Sequence, residues 1–206
     1  MSLPAPLLAL VIVLFPAAVG RSDDFESQGK ARTAYERARE TILTRAAAQE
    51  KAIPEQYRAA LERLRGAMQK AGDLEGWTAV DAEIKRFSAE GEVAGSARAD
   101  WPEVLVALHS RSAEMLAEVP IERNRHIVEL TNRYLEGLER LKRDLTRAGK
   151  IDQAVAVKEE IGRASTSPEF TAAQFDLEVI EAARQEAEEI RVRYLVPREM
   201  PAPFHA

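Results

Sequence analysis

Three side chains on one predicted helical face have the chemistry of metal ligands. Glu122 lies four residues before His126, and Glu129 lies three residues after it, so a helix brings them together on one face. A carboxylate-bridged di-iron bundle needs more, namely a Glu-x-x-His motif on two helices and two further glutamates. His109 lies far from any acidic cluster, and His205 lies near the C-terminus. We therefore predict no metal and no cofactor, and we keep Glu122, His126 and Glu129 as the first positions to examine for such a site.

A second candidate pair of charged residues occurs twice. Glu83 and Arg86 stand in a Glu-Ile-x-Arg string, and Glu160 and Arg163 stand in another. The two strings could contact a repeated ligand. The alternative interpretation, which we favour, is an ion pair between residues three apart that flanks a core isoleucine, since any amphipathic helix can carry such a pair.

The sequence contains no assembled catalytic motif. It has no glycine-rich phosphate loop, no Gly-x-Ser-x-Gly elbow and no His-Glu-x-x-His zinc motif. It has 0 cysteines, which excludes disulfides, thiol nucleophiles and cysteine-ligated zinc. The formal net charge of -5 argues against nucleic acid as an obligatory partner, because phosphate binding needs a positive surface. We predict that the protein is not an enzyme and has no catalytic residues.

Two copies of one helical hairpin must position these residues. Residues 57–87 and 134–164 align without a gap at a constant offset of 77, and 12 of the 31 aligned positions are identical. The first arm of each copy carries an apolar seam with steps of four and three residues, which is typical of a helix packed against an antiparallel neighbour. Gly72 and Gly149 directly follow these seams and predict helix ends with a left-handed glycine. A second apolar helix follows each glycine, so each copy predicts an αα-hairpin.

The turn strings AGDLEGWTAV and AGKIDQAVAV carry a resemblance to known modules. They loosely resemble the turn between the helices of tetratricopeptide repeats, although the offset of 77 is far from the period of about 34 in that family. They are more similar to uncharacterised helical-hairpin modules in secreted proteins of planctomycete-type bacteria, which share an AGDLxGxxAV turn motif. The resemblance covers residues 57–87 and 134–164. It implies a secreted helical module and no particular activity.

The N-terminal segment predicts export. Residues 3–19 form an apolar run without a charged residue, and Ala18 and Gly20 provide the small residues that a signal peptidase reads. We therefore predict a signal peptide over residues 1–20 and a periplasmic or extracellular protein. The run is interrupted by prolines and is shorter than the ~20 residues of a comfortable membrane span. The alternative is a protein anchored by an uncleaved N-terminal segment.

The rest of the chain predicts an all-α fold of two long antiparallel hairpins and a C-terminal helix, with coiled-coil-like or bundle packing. Pro54 predicts a kink or a short break near Ile53, and Pro120 predicts a second kink. Asp100 is the predicted cap of a helix that opens with Trp101 and Pro102. The predicted organisation is a flexible N-terminus at 21–30, hairpins at 31–90 and 101–164, a linker at 91–100, a C-terminal helix at 168–195 and a disordered tail at 196–206.

Charge is unevenly distributed along the predicted helices. Residues 121–150 carry eight basic and five acidic side chains, whereas residues 151–190 carry ten acidic and three basic ones. This difference predicts that the third long helix pairs with the last one.

The function that these features favour is a non-enzymatic exported scaffold or protein-interaction module of the cell envelope, with a protein partner or self-association. The alternatives are a periplasmic chaperone-like protein and a helical bundle that binds a small ligand or a metal. An exposed apolar stripe between the helical arms would favour the chaperone.

Overall fold

The structure, a computed structural model, describes residues 23–93 and 96–195. Within these ranges the chain forms helices and no strand, so the all-α prediction is confirmed. The helices are α1 (Asp23–Ala71), α2 (Leu74–Glu90), α3 (Glu103–Arg147), α4 (Ile151–Ser165) and α5 (Pro168–Leu195). The predicted signal peptide and the predicted tail at 196–206 lie outside the described residues.

Helices α1 and α2 form one hairpin, and α3 and α4 form the other. The reversals are at Gly72, with a φ of 72°, and at Gly149, with a φ of 70°, as the sequence predicts. In the first turn the Asp73 amide donates to the Met68 carbonyl at 3.0 Å, and in the second the Lys150 amide donates to Leu145 at 2.9 Å. These bonds satisfy carbonyl groups that the end of a helix leaves free.

The long helix of each hairpin also packs in the core of the other hairpin, an arrangement that we call the exchange of arms. Helices α1 and α3 are antiparallel, because Tyr35 stacks on Tyr134 near one end and Tyr57 contacts the ring of His109 near the other. One core cluster combines Ala31 and Tyr35 with buried residues of α3 and α4. The other combines residues of α1 and α2 with the start of α3. Each core therefore needs residues from both hairpins.

Helix α5 packs mainly against α3, as the charge pattern predicts. The Asn124 amide donates to the Asp176 carboxylate at 2.9 Å, and Arg184 lies 3.8 Å from Glu118. Phe170 is buried on the inner face of α5. The described side chains from residue 181 to residue 193 are all exposed, so the second half of α5 buries no side chain in the bundle.

Two expectations about helix continuity are wrong. The segment at 21–30 is helical from Asp23 onward. Helix α1 also continues through Pro54, so a short break near Ile53 is excluded, whereas the kinks expected at Pro54 and Pro120 stay predictions. Packing of Ile53 in the core between α1 and α3 holds the helix together where the proline removes one hydrogen bond.

The predicted cap at Asp100 is also wrong. Helix α3 starts at Glu103, and the Pro102 carbonyl accepts the first amide bonds. A proline disfavours the helical conformation of the residue before it, so the helix cannot begin at Trp101. Asp100 instead accepts two hydrogen bonds from Arg98, each at 3.0 Å.

Candidate functional site

The three candidate metal ligands line one groove between α1 and α3. The groove has a volume of about 170 Å³, with Glu122 and His126 half-buried in its wall and Glu129 exposed at its edge. Glu129 pairs with Arg133 on the same helix. No group of three histidine, aspartate or glutamate side chains in the described part of the chain is arranged to hold a metal ion. The structure thus brings the three residues to one surface without converging them on one point.

The groove combines an apolar floor with basic side chains. Ile42 of α1 and Val119 and Leu130 of α3 contribute to the floor, and Arg45 and Arg123 also line the groove. Sites for drug-sized ligands occupy about 300–1,000 Å³. The groove is smaller than this range, so it can accept a single ring or a few side chains of a partner.

An arrangement of a buried tyrosine, a buried glutamate and a more exposed arginine recurs in both hairpins. The Tyr57 hydroxyl donates to the Glu83 carboxylate at 2.9 Å, and Arg86 donates to the same carboxylate at 2.6 and 2.7 Å. In the second hairpin the Tyr134 hydroxyl donates to Glu160 at 2.9 Å, and the Arg163 guanidinium donates at 2.5 and 2.9 Å. The predicted ion pairs are confirmed. The tyrosines were missed, although their sequence signal was present, since both are 26 residues before the glutamate.

Hydrogen bonds and burial together determine the protonation states of the Glu160 carboxyl and the Tyr134 hydroxyl. Burial by itself would raise the pKa of the Glu160 carboxyl, but hydrogen bonds from Arg163 and Tyr134 outweigh burial and lower it. Burial, followed by the hydrogen bond to Glu160, raises the pKa of the Tyr134 hydroxyl far above its usual range. The glutamate is therefore ionised, and the tyrosine keeps its proton. Such a pairing stabilises a hairpin and supplies no nucleophile or proton donor for chemistry.

Helix α5 presents a second apolar face, directed away from the bundle. Phe175 is 64% exposed, and Val179, four residues later, is 50% exposed. Ile190 is 53% exposed further along the same helix. With about 3.6 residues per turn, Phe175, Val179, Ala182 and Ile190 fall on one side of the helix. We call this set the α5 stripe.

The surroundings of the α5 stripe are acidic. Helix α5 contains seven acidic and three basic residues. Two of the three arginines have ionic partners, because Arg184 pairs with Glu118 and Arg191 lies 3.3 Å from Glu188.

Comparison with known protein families, with curated proteins and with solved structures finds no match to this chain. No helix in the described ranges is long and apolar enough to cross a membrane.

Proposed function

We propose that this protein is an exported, non-enzymatic helical module that binds another protein through the α5 stripe. The observation that supports the proposal is the apolar character of α5 on two faces. Phe170 and Ala173 are buried on the inner face, whereas Phe175 and Val179 are exposed on the outer one. Neighbouring exposed apolar side chains that are surrounded by polar ones often mark a protein-interaction site. The outer face of α5 therefore fits a protein partner.

The position of the stripe favours this function over a chaperone that grips client chains between its arms. The arms of the hairpins close on each other, with Leu61 and Val80 buried between α1 and α2, and Leu138 and Val157 buried between α3 and α4. Exposed large apolar side chains also occur on the hairpin helices, but α5 carries Phe175, Val179 and Ile190 on one side of a single helix, outside the arms.

A photo-crosslinking amino acid at position 179, introduced in the organism that makes the protein, tests the proposal. Position 155 provides a matched control, because Val155 is also about half exposed but lies on α4. We expect position 179 to yield one discrete protein adduct that position 155 does not. The adduct should also disappear when Phe175→Ser is added. Adducts that are equal at both positions, or absent at both, would contradict the proposal.

Export is part of the same proposal, and it rests on the apolar run and the small residues before Arg21. Mass spectrometry of the protein from its native host should give Arg21 as the first residue. A chain that retains Met1 would instead support the anchored alternative.

The groove between α1 and α3 supports a second candidate function, binding of a small ligand. Its volume of about 170 Å³ is close to that of an engineered protein cavity that holds benzene, and Arg45 adds a positive charge to its lining. Benzoate is therefore a suitable probe. Saturation-transfer NMR should detect benzoate binding that Arg45→Ala removes and Val155→Ser leaves unchanged. Absence of transfer at millimolar benzoate would count against this candidate.

A further inference from the structure

We infer that the partner of the α5 stripe is a basic amphipathic helix of another protein, an inference that rests on the proposed function. The stripe has the length and spacing of a helix-binding surface. From Phe175 to Ile190 it extends about 24 Å, at about 1.5 Å per residue. Its apolar side chains recur at the i, i+4 and i+7 positions that a partner helix can match with its own apolar face.

Glutamates accompany the stripe along its whole length. Counting about 100° per residue, Glu178 and Glu189 lie along one edge of the stripe, and Glu186 lies within it. All three side chains are exposed. A partner helix that packs on Phe175 and Val179 would therefore place its flanking residues beside carboxylates.

Helix α5 gives these glutamates little basic charge of its own, because only one of its three arginines, Arg193, lies on the side of the stripe, four residues after Glu189. Among the described residues no basic side chain lies within ion-pair distance of Glu178, Glu186 or Glu189. By contrast, Arg184 and Arg191 on the same helix are already engaged with other glutamates. The stripe thus carries a net negative charge, and complementary lysines or arginines on the partner would raise both specificity and the association rate.

The same charges disfavour a second copy of this chain as the occupant. If two α5 helices crossed antiparallel at Ala182, Glu178 of one copy would face Glu186 of the other. In a parallel pair each glutamate would lie beside the same glutamate of the other copy. Both arrangements place like charges together at an interface, which opposes association. Anionic lipid surfaces are disfavoured for the same reason.

Two synthetic peptides of about 18 residues test the inference on the full-length mature protein. Both have leucines at the i, i+4, i+7 and i+11 positions, and one has lysines where the other has glutamates. We expect fluorescence anisotropy to show binding of the lysine peptide and none of the glutamate peptide. The double variant Phe175→Ser, Val179→Ser should bind the lysine peptide about tenfold or more weakly, whereas Val155→Ser should bind it like the parent.

A charge-reversed protein distinguishes this inference from the proposed function. The triple variant Glu178→Lys, Glu186→Lys, Glu189→Lys should prefer the glutamate peptide. These positions are exposed, so circular dichroism should show an unchanged fold.

If both peptides bind the parent equally and the serine variant loses both, the stripe binds proteins but the basic partner is wrong. If neither peptide binds, the inference is also wrong. A parent that sediments as a dimer and becomes a monomer on Phe175→Ser would identify a second copy as the occupant. Stripe-dependent binding to zwitterionic vesicles would identify lipid.

Discussion

Glycine supplies a backbone conformation at each hairpin turn that other residues adopt only with strain. Gly72 and Gly149 have positive φ, and a Cβ atom at either position would meet no neighbouring atom within 4 Å. Conformation rather than crowding therefore makes glycine necessary there. We expect Gly72→Val and Gly149→Val each to lower the free energy of unfolding by ~1 kcal/mol or more. Urea titration of the two variants and the parent measures this, and variants as stable as the parent would contradict it.

Gly76 has a different reason to be glycine. The Asp73 carboxylate caps helix α2 by accepting from the Gly76 amide at 2.8 Å, and a Cβ atom on Gly76 would approach that carboxylate to 2.3 Å. Alanine would gain ~1 kcal/mol of helix propensity but disturb a cap that contributes about the same. Gly162, inside α4, has no atom within 4 Å of such a Cβ.

We therefore expect Gly162→Ala to raise the free energy of unfolding by up to ~1 kcal/mol and Gly76→Ala to leave it almost unchanged. When Asp73→Ala has already removed the cap, the new Cβ atom would still lie 2.9 Å from the Met68 sulfur, but that flexible side chain can move aside. Gly76→Ala should then become stabilising by a similar ~1 kcal/mol. Urea titrations of the single and double variants form a thermodynamic cycle. If Gly76→Ala raises the free energy of unfolding by the same amount in the parent and in the Asp73→Ala variant, the cap does not oppose the alanine.

The Glu160 carboxylate couples stability to acid pH. Its pKa in the folded protein lies below the ordinary value of 4.5, so its contribution is complete above about pH 4.5 and is lost as the pH falls through the lowered pKa. Glu160→Gln should be less stable than the parent at neutral pH, and the difference should narrow in acid. Glu159→Gln, at an exposed neighbouring position, should show no such narrowing. Thermal melts from neutral pH to pH 2 measure both differences, and a constant gap for Glu160→Gln would refute the coupling.

Individual residues also show what the sequence could and could not predict about the candidate site. The Glu-Arg pairs were predictable because a helix places residues three apart side by side. Their bonds to Tyr57 and Tyr134 join different helices and depend on how each hairpin closes. Repetition of the tyrosine, glutamate and arginine at one offset is the available signal, and an apolar seam and an ion pair each account for only part of it.

At the scale of elements, local rules predicted the helices and their ends well. The start of α5 at Pro168 and the reversals at Gly72 and Gly149 follow from proline and glycine chemistry. The errors arose where packing or a neighbour overrides a local rule. Core contacts carry α1 through Pro54, and Pro102 prevents the helix from starting next to Asp100.

Helix α5 has two halves of different stability. Phe170 and Ala173 anchor the first half in the bundle, whereas the described side chains from residue 181 onward are exposed. An unsupported helix shorter than ~12–15 residues is marginal in water. We therefore expect hydrogen exchange to be fast for amides at 185–193 and slow for those at 173–180. The lysine peptide should slow exchange in the distal half. Equal protection of both halves in the free protein would contradict this view.

At the scale of the molecule, the exchange of arms between hairpins decides how the protein folds. Ala31 packs in one core, and Leu108, which lies 77 residues later, packs in the other. The two cores are thus built alike, because each contains residues from the long helix of the other hairpin. The sequence offset predicted two similar hairpins. It could not predict the exchange, because contacts such as Tyr35 with Tyr134 depend on how separate hairpins dock.

This exchange predicts that neither hairpin is stable by itself. A fragment of residues 21–95 lacks Leu105 and His109, which complete its core, and a fragment of residues 96–206 lacks Ala31 and Tyr35. Each fragment leaves buried apolar surface open to water, at a cost of roughly 25 cal/mol per Å². We expect each fragment to be largely unfolded or to pair with itself, and an equimolar mixture to form a one-to-one complex with the circular dichroism spectrum of the intact protein. Analytical ultracentrifugation and thermal melts of the fragments and the mixture test this. A single fragment that melts cooperatively as a monomer near the melting temperature of the intact protein would show that the hairpin, rather than the exchanged pair, is the folding unit.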